Sequence, residues 1–126
     1  MDSQNKLLIV EDDDLTLRFF QIFLGKFFDL TCCKSANEFY ENINKQQYDL
    51  LIMDLSLRGS KDGLELTREL RMMKNYEKTP VFAVTANALK RDEDAAYKAG
   101  VSRFLRKPID NKVLLQELKN ALNISN

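Results

Sequence analysis

The sequence predicts an α/β fold in which a doubly wound, five-stranded parallel sheet is covered by five helices. Three observations predict it. Short apolar runs alternate with segments of helical periodicity along all 126 residues. Most of these runs are apolar throughout rather than alternating, as strands buried on both faces require. Repetition of strand then helix implies right-handed crossovers and parallel pairing.

The first strand is Lys6-Leu-Leu-Ile-Val10, running into Glu11-Asp12-Asp13-Asp14. A first helix follows, with Leu17, Phe20, Leu24 and Phe27 at helical spacing. A second strand is read at Leu30–Cys33. There Cys32 and Cys33 are adjacent and point to opposite faces, so they are read as reduced structural thiols rather than a disulfide. Ser35 and Glu38 are read as an S-x-x-E capping box opening a second helix with Phe39 and Ile43 on one face. The third strand, Leu50-Leu-Ile-Met53, closes on Asp54. Leu66, Leu70 and Met73 stripe a third helix that ends before Pro80. Val81-Phe-Ala-Val84 leads to Thr85-Ala86-Asn87. A fourth helix near Leu89–Ala99 is mainly alanine and charge, with Gly100 as its stop. Arg103-Phe-Leu-Arg106 runs into Lys107-Pro108. Asp110 caps the fifth helix, where Leu114, Leu118, Ala121 and Leu122 face the core.

Composition bounds the function. A chain of 126 residues that is 44% hydrophobic suits a single domain over 1–126, with no output domain expected after the last helix. Lys plus Arg and Asp plus Glu both number 19, so no basic excess points to nucleic acid. No apolar stretch reaches the ~20 residues of a membrane span, and the start has no signal-peptide pattern. A cytoplasmic location is expected. The chain has no histidine. Serine–histidine and cysteine–histidine nucleophile pairs, imidazole–zinc sites and a phosphohistidine on this chain are all excluded.

Parallel strands place their C-terminal ends on one edge, where ligands of open α/β sheets bind. Glu11, Asp12, Asp54, Thr85 and Lys107 should therefore converge. Singly, each has a bland reading: Asp54 as a turn residue, Glu11–Asp14 as a capped, solvated loop. Together they have a chemical logic. Clustered carboxylates repel one another unless a hard cation intervenes, and Mg²⁺ favours one or two carboxylates plus water and phosphate oxygens. Asp54 could then attack phosphorus, with Lys107 and Thr85 serving the phosphoryl oxygens. Asp13 and Asp14 are assigned to capping and solvation.

Leu8-Ile-Val-Glu-Asp-Asp13, Tyr48-Asp-Leu-Leu-Ile-Met-Asp54, Asp62-Gly63, Val84-Thr85-Ala86 and Phe104-Leu-Arg-Lys-Pro-Ile109 carry a resemblance. In this order and spacing, the chain resembles the receiver domain of two-component response regulators over essentially its whole length. The resemblance implies a flavodoxin-like fold of strand order 2-1-3-4-5. It implies Asp54 as phosphoacceptor in a two-component phosphorelay. Asp12 is implied as a direct Mg²⁺ ligand, with Glu11 binding directly or through water and the Ser56 backbone carbonyl as third protein ligand. Thr85 and Phe104 are implied as the switch pair, Lys107 as the phosphoryl-binding lysine, and the Lys107–Pro108 peptide as cis. Ser56 and Asn87 flank the acceptor and are expected to tune the lifetime of its phosphate. Two departures stand out: Arg58 replaces the usual proline four residues after Asp54, and the loop Leu57–Lys61 is one residue longer.

A phosphoryl group on Asp54 adds about −1.5 to −2 charges. Thr85 can move to bond it, freeing space for Phe104 to turn inward. The weak apolar stripe of the fourth helix (Ala88, Ala95, Ala96, Ala99) suits a two-state element. Five of eight phenylalanines lie between Phe19 and Phe28. Phe19, Phe23, Phe27, Phe20 and Leu24 sweep an arc of roughly 140° on the first helix. Core packing is the default for that arc; the alternative is a docking surface at Phe19 or Phe23, because the resemblance places this helix against phosphodonor helices.

The expected partners are a sensor histidine kinase or histidine phosphotransfer protein as donor and a downstream protein target, without direct nucleic-acid or membrane binding. Homodimer formation is left open. The chain is expected to catalyse only its own phosphorylation and dephosphorylation. The Met1 start favours a stand-alone regulator over a piece of a hybrid kinase. Two competing classes are a Mg²⁺-dependent phosphohydrolase and a phosphorylation-independent pseudo-receiver. The first lacks a second acid, since Ser56 stands two residues after Asp54; the second is disfavoured because acceptor, metal and lysine positions are all filled.

Overall fold

The structure is a computed structural model and describes residues 4–59, 61–86 and 89–124. Five strands, β1 (Lys6–Val10), β2 (Asp29–Cys33), β3 (Leu50–Asp54), β4 (Val81–Thr85) and β5 (Arg103–Arg106), form one sheet. Its order is β2-β1-β3-β4-β5, and every neighbouring pair is parallel. The connecting helices are α1 (Asp14–Leu24), α2 (Ala36–Ile43), α3 (Gly63–Arg71), α4 (Lys90–Ala99) and α5 (Asn111–Ala121), with a short 3₁₀ turn at Lys74–Tyr76. Among the described residues, no helix is long and apolar enough to cross a membrane.

Strand alternation divides the core in two. Leu7, Ile9, Leu50, Ile52, Phe82 and Val84 point to one face, where Leu17, Phe20 and Leu24 of α1 and Leu114 and Leu118 of α5 cover them. Leu8, Val10, Leu51, Met53, Val81 and Ala83 point to the other, under Phe39 and Ile43 of α2, Leu66 and Leu70 of α3 and Ala96 of α4. β1 from Leu7 onward and all of β3 and β4 are buried, which explains their unbroken apolar runs. The edge strand β5 instead exposes Arg103 and Arg106, so its run is only half apolar. Cys32 joins one core and Cys33 the other, both as free thiols. Burial pushes the Cys33 thiol up to about 12, which makes it chemically inert at neutral pH.

Local signals account for most boundaries. Asp13 caps α1, Asp62 caps α3 in a reciprocal box with Glu65, and Asp110 caps α5. Gly100 closes α4 at φ +113°, a left-handed conformation that L side chains resist. Three expectations need correction. Helix α3 ends at Arg71, so Met73 lies beyond it, although it still packs partly buried on the core. Helix α1 ends at Leu24, so Phe27 falls beyond it and is exposed, while the neighbouring Phe28 is buried in its place. Ser35 caps α2, but Glu38 reaches back to the backbone N–H of Lys34 rather than to that of Ser35. The S-x-x-E spacing is thus met without a reciprocal box.

Two buried polar anchors had no sequence signal. The Tyr76 hydroxyl accepts from the Tyr48 N–H at 3.0 Å and donates to the Gln46 carbonyl at 3.2 Å. Arg71 donates to the carbonyls of Gly100 (2.7 and 3.0 Å), Tyr76 (2.8 Å) and Thr79 (2.6 Å). That guanidinium ties the end of α3 to the segment leading into β4 and to the C-terminal end of α4.

Candidate functional site

Strand register decides which side chains meet. Val10 pairs with Met53, Asp54 with Val84, and Thr85 with Arg106, so four strands end along one line. Glu11 leaves β1, Asp54 closes β3, Thr85 closes β4 and Lys107 leaves β5. The Lys107 N–H donates to the Thr85 carbonyl at 2.9 Å, carrying the pairing one residue past β5. The following Lys107–Pro108 peptide is cis, as expected from the resemblance.

Glu11, Asp12 and Asp54 each offer a carboxylate oxygen, and the three oxygens lie within 4.8 Å of one another. Glu11 and Asp54 are buried, whereas Asp12 forms the outer wall. Lys107 sits among them, with Nζ 2.8 Å from Glu11 Oε1 and 3.8 Å from Asp54 Oδ2. The second oxygen of Glu11 accepts the Asp13 N–H at 3.1 Å. Asp54 Oδ1 accepts the Ser56 N–H at 2.9 Å, which orients the carboxylate. The hydroxyls of Ser56 and Thr85 are 3.2 Å apart.

The electrostatics follow from this crowding. Burial and the adjacent Asp54 push Glu11 up to about 7, against the opposing pull of Lys107. Burial opposes the charge on Lys107, yet its bond to Glu11 and the nearby Asp54 carboxylate raise its pKa above the ordinary lysine value. Slight burial works against Asp12 ionising, but hydrogen bonds from Arg58 outweigh it and hold that carboxyl below its ordinary range. Three carboxyl groups set against two cations, Lys107 and Arg58, leave an excess of hard oxygen donors. That donor set fits a hard divalent cation held by a few carboxylates with water completing the shell.

The structure brings together Glu11, Asp12, Asp54, Thr85, Lys107 and Ser56 of the residues singled out in the sequence. Phe104 lies opposite Ala83 in the β4–β5 register and packs, half-buried, against the core beneath α2, α3 and α4. Asn87, together with Ala88 of the fourth-helix stripe, lies outside the described residues.

Sequence reasoning missed three features. Arg58 was noted for what it replaces, not for what it does: its backbone N–H and its Nε both donate to Asp12 Oδ2, at 3.0 and 3.1 Å. Gly63 opens α3 directly against the acceptor strand, where a Cβ would lie 2.4 Å from the Asp54 carbonyl oxygen. The adjacent Asp62 cap carried a signal for the helix start but none for this close approach. The third feature is a groove of about 550 Å³ between α1 and the β5–α5 connection, lined by Leu15, Phe19, Ala86, Lys107, Pro108 and Ile109. Core packing, the default for the aromatic arc, holds for Phe20 but not for Phe19, which is 37% exposed at the rim of this groove. Phe23 is partly buried and stacks on Phe19 at 6.2 Å between ring centroids.

A parallel sheet of this order, with carboxylates, a hydroxyl and an ammonium gathered on its C-terminal edge, defines a flavodoxin-like domain of signalling type. The chain belongs to the response regulator receiver domain family, whose model matches residues 7–119. It is 29% identical to the polar-differentiation response regulator DivK of Brucella ovis, over 92% of this chain and 94% of that one. It is 28% identical to the receiver domain of sensor histidine kinase PA1611 from Pseudomonas aeruginosa PAO1, with TM-score 0.87 over 96% of this chain and 99% of that one. That structure has a magnesium ion coordinated in its active site cleft. The Vibrio cholerae chemotaxis protein CheY4 shares the fold, with TM-score 0.88 at 21% identity over 95% of this chain and 100% of that one. Other curated relatives are much longer. The chain spans 56% of a regulator from Porphyra purpurea, 53% of the regulatory protein VanRB of Enterococcus faecalis and 7% of a hybrid signal transduction histidine kinase from Dictyostelium discoideum. The chain is a receiver module of two-component signalling.

Proposed function

We propose that Asp54 is the phosphoacceptor of this receiver, taking a phosphoryl group from a phosphohistidine on a sensor histidine kinase or histidine phosphotransfer protein. The observation that carries this reading is the meeting of Asp54 with Glu11, Asp12 and Lys107 at the sheet edge. An Asp54 oxygen attacks phosphorus as the P–N bond to the donor breaks. The donor nitrogen leaves with the electron pair and takes a proton, and Asp54 becomes an acyl phosphate. Lys107 holds a phosphoryl oxygen by charge, and Thr85 donates a hydrogen bond to another. Glu11, Asp12 and Asp54, with the Ser56 carbonyl, would hold Mg²⁺, which when bound supplies charge neutralisation for the transferring group. Water attack on the same phosphorus returns Asp54 to a carboxylate. The chain turns over no other substrate.

Readout follows from packing. Thr85 is drawn toward the phosphate and away from Ser56, and Phe104 turns into the space released beside Ala83. The half-buried position of Phe104 supports this motion, since it is neither locked in the core nor free in solvent. The donor seats along α1, where Phe19 and Leu15 rim a groove that leads to Lys107. The output is a protein contact in the cytoplasm.

The test is direct. Incubation with Mg²⁺ and acetyl phosphate should add one phosphate to the intact mass of the wild type and none to Asp54→Asn. An adduct retained in Asp54→Asn, or none in either protein, overturns the assignment. Continuous phosphate release from varied monoesters would instead support a hydrolase.

A further inference from the structure

Arg58 occupies a particular place in the acidic cluster. Asp12 Oδ2 accepts two hydrogen bonds from this one residue, from its backbone N–H at 3.0 Å and from its Nε at 3.1 Å. The two bonds have different consequences. The backbone N–H is a fixed dipole that orients the carboxylate, and any residue at position 58 except proline provides it. The guanidinium is a full positive charge, and its side chain is 84% exposed while that of Asp12 is 17% exposed.

The cluster is therefore flanked by cations on both sides, Lys107 against Glu11 on the inner side and Arg58 against Asp12 on the outer side. Lys107 is half-buried and held near Asp54, where an incoming phosphoryl group needs it. Arg58 has no such constraint. A divalent cation that takes Asp12 as a ligand draws on the same anionic charge that the guanidinium neutralises, and it meets a like charge at close range.

We propose that Arg58 competes with the divalent cation for Asp12, so that its guanidinium lowers the Mg²⁺ affinity of the site and swings out to solvent when the ion binds. This rests on reading Glu11, Asp12 and Asp54 as the cation site. The competition also couples the ion to the lengthened Leu57–Lys61 loop. The side-chain strap at Arg58 is released on binding, while the backbone bond to Asp12 and the Lys61–Glu69 ion pair at 2.6 Å still hold the loop ends. Mg²⁺ availability thereby sets both phosphorylation competence and the freedom of the guanidinium beside the acceptor.

The experiment is Mg²⁺ titration of the full chain, followed by backbone amide shifts in NMR and by the Arg58 Nε–H resonance. Arg58→Ala removes the guanidinium and keeps the backbone N–H. It should bind Mg²⁺ about two- to fivefold more tightly than the wild type at low salt, the scale of one exposed ion pair. Arg58→Lys, which keeps the charge, should stay near the wild type. The gap between wild type and Arg58→Ala should narrow at high KCl, because exposed charges are screened. In the wild type the Nε–H resonance should move toward that of a free guanidinium along the same binding curve. Equal or weaker Mg²⁺ affinity in Arg58→Ala overturns the proposal, because Arg58 would then be holding Asp12 ready for the ion. Wild-type binding without tightening in the variant removes this proposal alone. Failure of both proteins to bind Mg²⁺ removes the cation site as well.

Discussion

Replacing Glu11 with glutamine should abolish the pH dependence that this residue gives the fold. Glu11 is fully buried, its pKa is raised from 4.5 to about 7, and the causes are burial first and then the neighbouring Asp54. A carboxyl that holds its proton more tightly in the folded than in the unfolded chain stabilises the fold in its protonated form. That contribution is fully present below about pH 4.5 and is lost as the pH rises through 7. At 1.36 kcal/mol per pKa unit, the loss between pH 5 and pH 8 is about 2–3 kcal/mol. Glutamine cannot ionise, so Glu11→Gln lacks this slope. Other carboxyls, such as Asp12 with its lowered pKa, titrate in both proteins and cancel in the comparison. The assay is urea unfolding followed by circular dichroism from pH 5 to pH 8 in the presence of a chelator. The two proteins should be similar near pH 5, with the variant more stable by about 2–3 kcal/mol at pH 8. Mg²⁺ added at pH 8 should narrow the gap by stabilising the ionised wild type. Parallel stability profiles would refute the reasoning, because they would mean that Glu11 ionises as easily in the fold as outside it.

Three further outcomes are expected. Gly63→Ala places a methyl 2.4 Å from the Asp54 carbonyl oxygen, so it should cost about 1–3 kcal/mol in denaturant unfolding and slow acetyl-phosphate labelling. Gly59→Ala, where φ is +118° but no atom of the other described residues lies within 4 Å of the added methyl, should leave labelling intact and cost only backbone strain. Arg71→Ala leaves the carbonyls of Gly100, Tyr76 and Thr79 without their donor and should cost about 3 kcal/mol or more. Arg71→Lys should recover little of this, since an ammonium cannot span the same fork. Phe19→Ala should cost less than about 1.5 kcal/mol because the ring is 37% exposed, yet it should slow transfer from a phosphohistidine donor. Phe20→Ala, in the core, should cost about 3–5 kcal/mol, and equal losses for the two rings would place Phe19 in the core as well.

Much of the fold was legible because its signals are local. The apolar runs of β1, β3 and β4, the caps at Asp13 and Asp110 and the stop at Gly100 each act within a few residues. Parallel pairing then follows from alternation alone, and with it the meeting of Glu11, Asp54, Thr85 and Lys107 on one edge. Phe27 was misplaced because helical periodicity continues past Gly25, while the chain itself turns there toward β2. The spacing of aromatic residues cannot say where a helix ends, nor which edge of a wide apolar arc the sheet covers. Phe19 was left undecided for that reason.

By itself, then, the sequence determined the strands, their parallel order of use and the set of groups gathered around Asp54, because these depend on patterning and chain direction. Tertiary structure decided what those groups do to one another. The hold of Arg58 on Asp12 spans 46 positions and the Lys107–Glu11 pair spans 96. The contact of Gly63 with Asp54 and the fourfold grip of Arg71 likewise depend on how the loop and α3 lie against the sheet. Glu11 is raised to about 7 only because the fold buries it beside another carboxylate. Distances and desolvation between residues far apart in the chain exist only once it has folded, and they set the charge on which the acceptor site depends.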